Sequence, residues 1–313
     1  MQEIHGYRLI SDFTTEGAGF SKWAFAEKKG HEFFIKEFMS PRYPMENRGL
    51  SEELMSKKRK QCEEFEQVKL KLYGELKQCR TGNIMYIFEF FRDGSRYYAV
   101  TDKIEGSGLQ VEDIAYLSIE KKLIIMRALM YSYSVLHSHH IVHADVRPEN
   151  ILIKETASGY YTTKIIDFDA SYLEEDAPEE IFGDMVYFAP ESRLRTMGED
   201  VPLTTKVDIF ALGILLHRYW TGQLPQPGGD CDYAFEAALD GKELILDKTI
   251  PIEIGMIIQM MLQKEAENRP TAAEVLRLID KYCKDVIKSE THDTTSRNKK
   301  SGSSELTVPT ELG

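Results

Sequence analysis

The segment that most limits what this chain can be is Ile141–Ile153, which reads I-V-H-A-D-V-R-P-E-N-I-L-I. It puts a carboxylate (Asp145), a cation two residues on (Arg147) and an amide three beyond that (Asn150) into one tight loop before a strand. Phosphoryl transfer needs these parts together. Asp145 can orient a hydroxyl and accept its proton. Arg147 can neutralise charge on the moving phosphoryl group, and Asn150 can hold a magnesium ion through its side-chain oxygen. Lys164–Asp169, K-I-I-D-F-D, follows as a buried strand ending in an acid, and Asp167 there can also ligate magnesium. Acids often end strands, so this second pattern gains its meaning from lying shortly after Asn150.

The regions around these segments differ in texture. Tyr7–Thr15, Lys22–Lys28 and His31–Phe38 read as strands separated by glycine-containing turns, and Ser51–Lys77 as a long helix. Ile84–Phe91 and Arg96–Thr101 flank Arg92–Ser95, whose Asp93-Gly94 is a hairpin signal. Beyond residue 106 the pattern is mostly helical: Ser118–His139 has a broad apolar face, Val207–Trp220 is apolar nearly all round, and Ala272–Val286 is amphipathic. The last 25 residues, Ser289–Gly313, carry ten Ser or Thr and almost no large apolar side chains, the composition of a disordered tail. A β-rich part, a helical part and a tail imply an α+β fold with a ligand cleft between two lobes.

Composition excludes several function classes. A net charge of −12 argues against a nucleic-acid binder that works by neutralising phosphates. The four cysteines form no C-x-x-C pair, so neither a zinc site nor a redox motif is signalled. No signal-peptide pattern opens the chain and no apolar run approaches the ~20 residues of a membrane span. The expectation is a cytoplasmic protein.

With these segments in view, the sequence resembles the eukaryotic-like serine/threonine protein kinase family. That family's catalytic loop H-R-D-L-K-P-E-N is matched by H-A-D-V-R-P-E-N, its D-F-G by Asp167–Asp169, and its A-P-E by Ala189–Glu191. Phe34-Ile35-Lys36 is similar to its V-A-I-K strand, residues 207–213 to its D-x-W-S-L-G helix, and Asn268–Thr271 to its late R-P-T. The matches run in order across roughly residues 7–285. The resemblance implies a bilobal kinase domain over 1–287, with an N-lobe to about 101, a hinge at 102–105 and a C-lobe over 106–287, followed by the tail 288–313. It implies ATP and Mg2+, with Lys36 on the α- and β-phosphates, and protein substrates that accept phosphate on Ser or Thr, the chain itself among the candidates. Thr101 falls at the gatekeeper position, and Asp102 to Ile104 would contact adenine. The phosphate loop would be Glu16, Gly17, Ala18, Gly19, Phe20 and Ser21, with the family's three glycines displaced. Lys36 should pair with a Glu on the long helix; Glu66 is the favoured one, with Glu63 and Glu64 as alternatives. Arg269 should pair with Glu191.

Several departures bear on regulation. Arg147 stands where Ser/Thr members carry a cation, and Asp184 stands where the family has a Thr, which suggests an Arg147–Asp184 pair. Ala144 replaces the Arg that grips a phosphorylated activation loop. The corresponding loop here, Asp167–Glu191, has no Thr, a single Ser (Ser171) and many acids, so activity is expected without loop phosphorylation. Asp169 in place of Gly narrows the backbone conformations available there. His137, His139 and His140 look like a metal cluster but offer no complete ligand set. Two rival readings remain: a pseudokinase or scaffold that binds nucleotide without efficient transfer, and a small-molecule phosphotransferase, which the A-P-E segment and distal Arg disfavour.

Overall fold

A computed structural model describes residues 2–16, 21–45, 51–79, 81–104 and 109–284. The N-terminal part is one antiparallel sheet of six strands: β1 (Glu3–Ile4), β2 (Tyr7–Leu9), β3 (Ser21–Lys28), β4 (His31–Phe38), β5 (Ile87–Asp93) and β6 (Arg96–Asp102), in the order β1-β2-β3-β4-β6-β5. Strand alternation decides which side chains meet the cleft. Ala24, Ala26 and Ile35 are fully buried on the outer face with Tyr7, Tyr98 and Val100. Their neighbours Trp23, Phe25, Phe34 and Lys36 point the other way, into the cleft.

Between β4 and β5 runs the long helix α1 (Glu52–Leu76). Ser51 caps it by accepting a hydrogen bond from Leu54 N at 3.3 Å, and Glu52 and Glu53 complement the helix N-terminus. Its buried stripe is Cys62, Lys69, Leu72, Tyr73 and Leu76, one cation among apolar neighbours. The helix packs against β5 and reaches β7 (Ile141–Val142) and β10 (Tyr172–Leu173), which pair with each other in the C-terminal part.

The C-terminal part is built on α3 (Ile119–Ser138) and α5 (Lys206–Thr221), with α2 (Val111–Ala115), α4 (Pro190–Thr196), α6 (Ala234–Leu239), α7 (Ile252–Met261) and a helix over residues 272–284 around them. The hairpin β8 (Ile151–Glu155)–β9 (Tyr161–Ile165) and the short pair β11 (Gln226–Pro227)–β12 (Leu244–Ile245) complete it. Helix α5 is buried almost all round, as its sequence predicts, and stops at Gly222, which takes φ 79° and returns its N–H to Arg218 O at 2.8 Å. The β-rich and helical parts with a cleft between them are the bilobal α+β arrangement expected. Among the described residues no helix is long and apolar enough to cross a membrane. The expected tail, Glu105 of the hinge, and Gly17, Ala18, Gly19 and Phe20 of the phosphate loop lie outside the described residues.

Candidate active site

The loop after β7 is rigid because a buried carboxylate on α5 holds it. Asp208, fully buried, accepts the backbone N–H groups of His143 and Ala144 at 2.8 and 2.9 Å, and its Oδ2 lies 3.1 Å from His137 Nε2. Ala144 sits at φ 64° and Asp167 at φ 60°, left-handed conformations that non-glycine residues adopt at a cost, and the two bracket the site. The His143 ring packs edge-on against Phe168 at 5.0 Å and its Nε2 lies 3.0 Å from Ile166 O, tying the loop to the end of β9.

On this frame the loop side chains converge. Asn150 Nδ2 donates to Asp145 O at 2.9 Å and to Asp145 Oδ2 at 2.7 Å. Burial raises the Asp145 carboxyl above its ordinary pKa, against the opposing pull of His143, Asn150 and Arg147. Lys36 Nζ crosses from β4 to Asp167 Oδ1 at 2.8 Å. Although burial disfavours the ammonium, Asp169 and Asp167 more than offset it, and the Lys36 pKa lies above the usual lysine value. The Asp167 carboxyl is lowered, because Lys36 outweighs its burial.

The donor set fits magnesium. Both amide hydrogens of Asn150 face Asp145, which leaves its Oδ1 for a cation, and among the described residues no donor reaches Asp167 Oδ2. Magnesium binds through one or two protein oxygens plus substrate phosphates. Consistent with so sparse a set, no three His, Cys, Asp or Glu side chains among the described residues form a metal cage.

The cleft beside these groups has a volume of about 270 Å³. Thr101, Asp102 and Ile104 line it, together with Asn150, Leu152, Asp167 and Asp169. The wall from the sheet is aromatic: Trp23 and Phe34 stack with centroids 5.2 Å apart, and Phe25 stands edge-on to both. Of the expected phosphate loop, the described ends Glu16 and Ser21 do not line the cleft; Glu16 O accepts from Trp23 Nε1 at 2.8 Å and Ser21 is buried in β3. Asp145 faces a second, smaller hollow with Ile181, Asp184 and Tyr187. Gly183 packs closely there: a Cβ would lie 3.0 Å from the Phe188 ring, tight enough that the ring would have to shift.

The expected partner of Lys36 needs correction. Glu66 is half-buried on α1 and accepts from the Tyr97 hydroxyl at 3.4 Å. The second carboxylate on Lys36 is instead Asp169, with Oδ2 2.9 Å from Nζ. From α1, Tyr73 lines the cleft, and Lys69, one turn beyond Glu66, reaches the loop after β9, where its Nζ donates to Asp169 O at 2.7 Å. Glu63 and Glu64 are exposed. Sequence reasoning places Asp208 in the segment similar to D-x-W-S-L-G but not its hold on the loop, and it does not give the Trp23–Phe34 wall.

The remaining candidates fall as follows. Arg147 Nε bonds Glu149 Oε2 at 2.8 Å, and its Nη1 lies 3.8 Å from Asp184 Oδ2, so the suggested pair is present as the longer of two contacts. The three histidines are not a cluster: each meets a different carboxylate, His137 Asp208, His139 Glu75 and His140 Glu174. Arg269, fully buried, grips Glu191 through two parallel bonds of 2.7 and 2.8 Å and bonds three carbonyls besides. In the activation segment Ser171 is buried and donates to His143 O at 2.9 Å. The neighbouring acids are paired: Glu174 with Thr205 N and His140, Glu175 and Asp176 with Lys71 of α1 at 2.7 and 2.6 Å.

Comparison with known proteins shows the family. Residues 51–278 match the sequence profile of the family described as "Protein kinase domain". The chain is 30% identical over 203 residues to calcium-dependent protein kinase 6 of Plasmodium berghei, covering 62% of this chain and 13% of that protein. It is 28% identical over 202 residues to serine/threonine-protein kinase PkaA of Streptomyces coelicolor, covering 62% and 36%. With serine/threonine-protein kinase PSK2 of Saccharomyces cerevisiae it shares 28% over 211 residues, covering 64% and 18%. The chain thus spans well under half the length of these relatives. With the profile matched over most of its length, the chain belongs to the protein kinase family.

Proposed function

We propose that this chain is a serine/threonine protein kinase that transfers the γ-phosphate of ATP directly to a protein hydroxyl. The observation that carries the reading is the convergence of Asp145, Asn150, Asp167 and Lys36, drawn from two lobes and held by bonds of 2.7–2.8 Å. Adenine lies between the Trp23–Phe34 wall and Leu152, against Asp102 and Ile104. Lys36 holds the α- and β-phosphates. Asn150 and Asp167 would hold magnesium, which would offset charge on the phosphates. Asp145 orients the acceptor hydroxyl and takes its proton, and its raised pKa makes it a better base. Arg147 offsets charge on the transferring group. Ser/Thr selectivity rests on this cation and on the relatives named above.

Activity without loop phosphorylation is supported by two features. Ser171 is buried, and the acids Glu174–Asp176 already make contacts with His140 and Lys71. The test is transfer from labelled Mg-ATP by the purified, phosphatase-treated chain, to a basic protein and to itself. Label on Ser or Thr that is lost in both Asp145→Ala and Asp167→Ala is expected. Nucleotide binding without transfer would move the assignment to a nucleotide-binding scaffold.

A further inference from the structure

The charges around Lys36 stand in an order that the family resemblance does not predict. The buried stripe of α1 presents a cation, Lys69, where a helix carboxylate was expected, and the residue two past Asp167 presents a carboxylate where Gly was expected. The two departures meet. Lys36 Nζ lies 2.9 Å from Asp169 Oδ2, and Lys69 Nζ lies 2.7 Å from the carbonyl oxygen of the same Asp169. We propose that Asp169, itself fixed by Lys69, is the residue that positions Lys36 for the nucleotide phosphates, in place of a carboxylate on the helix.

Three further observations support this. Asp169 lies outside the left-handed backbone region, so its side chain is accommodated without strain. Its N–H donates to Asp167 Oδ1 at 3.3 Å, so backbone and side chain together brace both carboxylates that face Lys36. Lys69 is 6% exposed, and a cation so buried needs compensation. Burial lowers its pKa and the attraction of Asp169 partly restores it. The site then holds two cations, Lys36 and Lys69, beside two carboxylates, Asp167 and Asp169. Asp169 and Lys69 are positioning residues: they act through Lys36 and need not touch the reacting atoms.

The inference rests on the reading of Lys36 as the phosphate contact, and its test does not require transfer. Affinities for adenosine and for ADP, the latter with and without magnesium, are measured through the fluorescence of Trp23. Trp220, the other tryptophan, is buried away from the cleft. Asp169→Asn keeps the shape and removes the charge. It should weaken ADP about tenfold or more, the loss expected when a charged hydrogen bond is removed, with and without magnesium, and leave adenosine unchanged. Asp169→Gly and Lys69→Met should show the same pattern, the latter less strongly. ADP affinity unchanged in Asp169→Asn would overturn the proposal. So would equal losses for ADP and adenosine, which indicate a structural role, or a loss seen only with magnesium, which would make Asp169 a metal ligand. Should the wild type bind ADP in this way yet transfer no phosphate, the kinase reading fails while the positioning role stands.

Discussion

The two walls of the cleft follow different rules. On the helical side, Asp145, Arg147 and Asn150 stand at the spacing that phosphoryl transfer asks for, on a loop whose amides are anchored by the buried Asp208. On the sheet side, stacked Trp23 and Phe34 form the wall, and the second carboxylate on Lys36 comes from Asp169 and not from α1. The difference teaches which parts of the job are rigidly specified. Moving a phosphoryl group needs a base, a cation and metal ligands within bonding distance of one another, which permits little rearrangement. Holding a nucleotide needs a flat apolar surface and a fixed ammonium, and more than one set of side chains supplies those.

This contrast can be broken or sharpened by experiment. The largest effect should come from Arg269→Ala, which leaves Glu191 buried and unpaired. Breaking such a pair costs about 3–5 kcal/mol, seen as a large drop in unfolding midpoint. A small drop would mean that the helical side is not braced there. Asp208→Asn should lower the transfer rate about 100-fold by loosening the loop, with nucleotide affinity kept. If affinity falls instead, the two walls are not separable as described. Trp23→Ala should do the reverse, weakening nucleotide roughly tenfold through lost stacking while sparing the rate at saturation. Binding in this variant is followed by calorimetry. The smallest effect is on pH dependence. Asp145 must be ionised to accept a proton, and burial holds its pKa above the ordinary Asp value. The rate should therefore begin to fall on acidification at a higher pH than an exposed aspartate would give. A rate flat down to the acid unfolding transition would contradict that.

The helical wall was legible in the sequence because its polar side chains lie in contiguous segments. Asp145, Arg147 and Asn150 share one loop, Asp167 follows within one hairpin, and their spacing alone predicts that they meet. The Arg269–Glu191 pair was legible through the family resemblance, which links two distant motifs. The partner of Lys36 was not, since it depends on how α1 docks against the loop after β9. A shift of three residues along α1 exchanges half-buried Glu66 for buried Lys69. A signal was present: Lys69 shares a stripe with Cys62, Leu72, Tyr73 and Leu76, so a cation was headed for the interior. Sequence alone gives the Asp169 position a backbone constraint; its carboxylate reaches Lys36 and its carbonyl Lys69 only through the fold. Asp208 belongs to the segment similar to the family's D-x-W-S-L-G helix, but the sequence does not say what it holds; its 0% exposure and three hydrogen-bond contacts do. The aromatic wall follows from pairing register, Trp23 opposite Lys36 and Phe25 opposite Phe34, which strand-by-strand reading does not supply.

The central claim is that the helical wall performs the chemistry while the sheet wall holds the nucleotide. Its most direct test is single-turnover phosphate transfer by Asp145→Asn at saturating Mg-ATP, with nucleotide affinity read in parallel through Trp23. The account predicts a rate lower by about 10²–10⁴ with affinity unchanged, the loss expected on removing a general base. A rate close to that of the wild type, or a loss explained by weaker nucleotide binding, would contradict it.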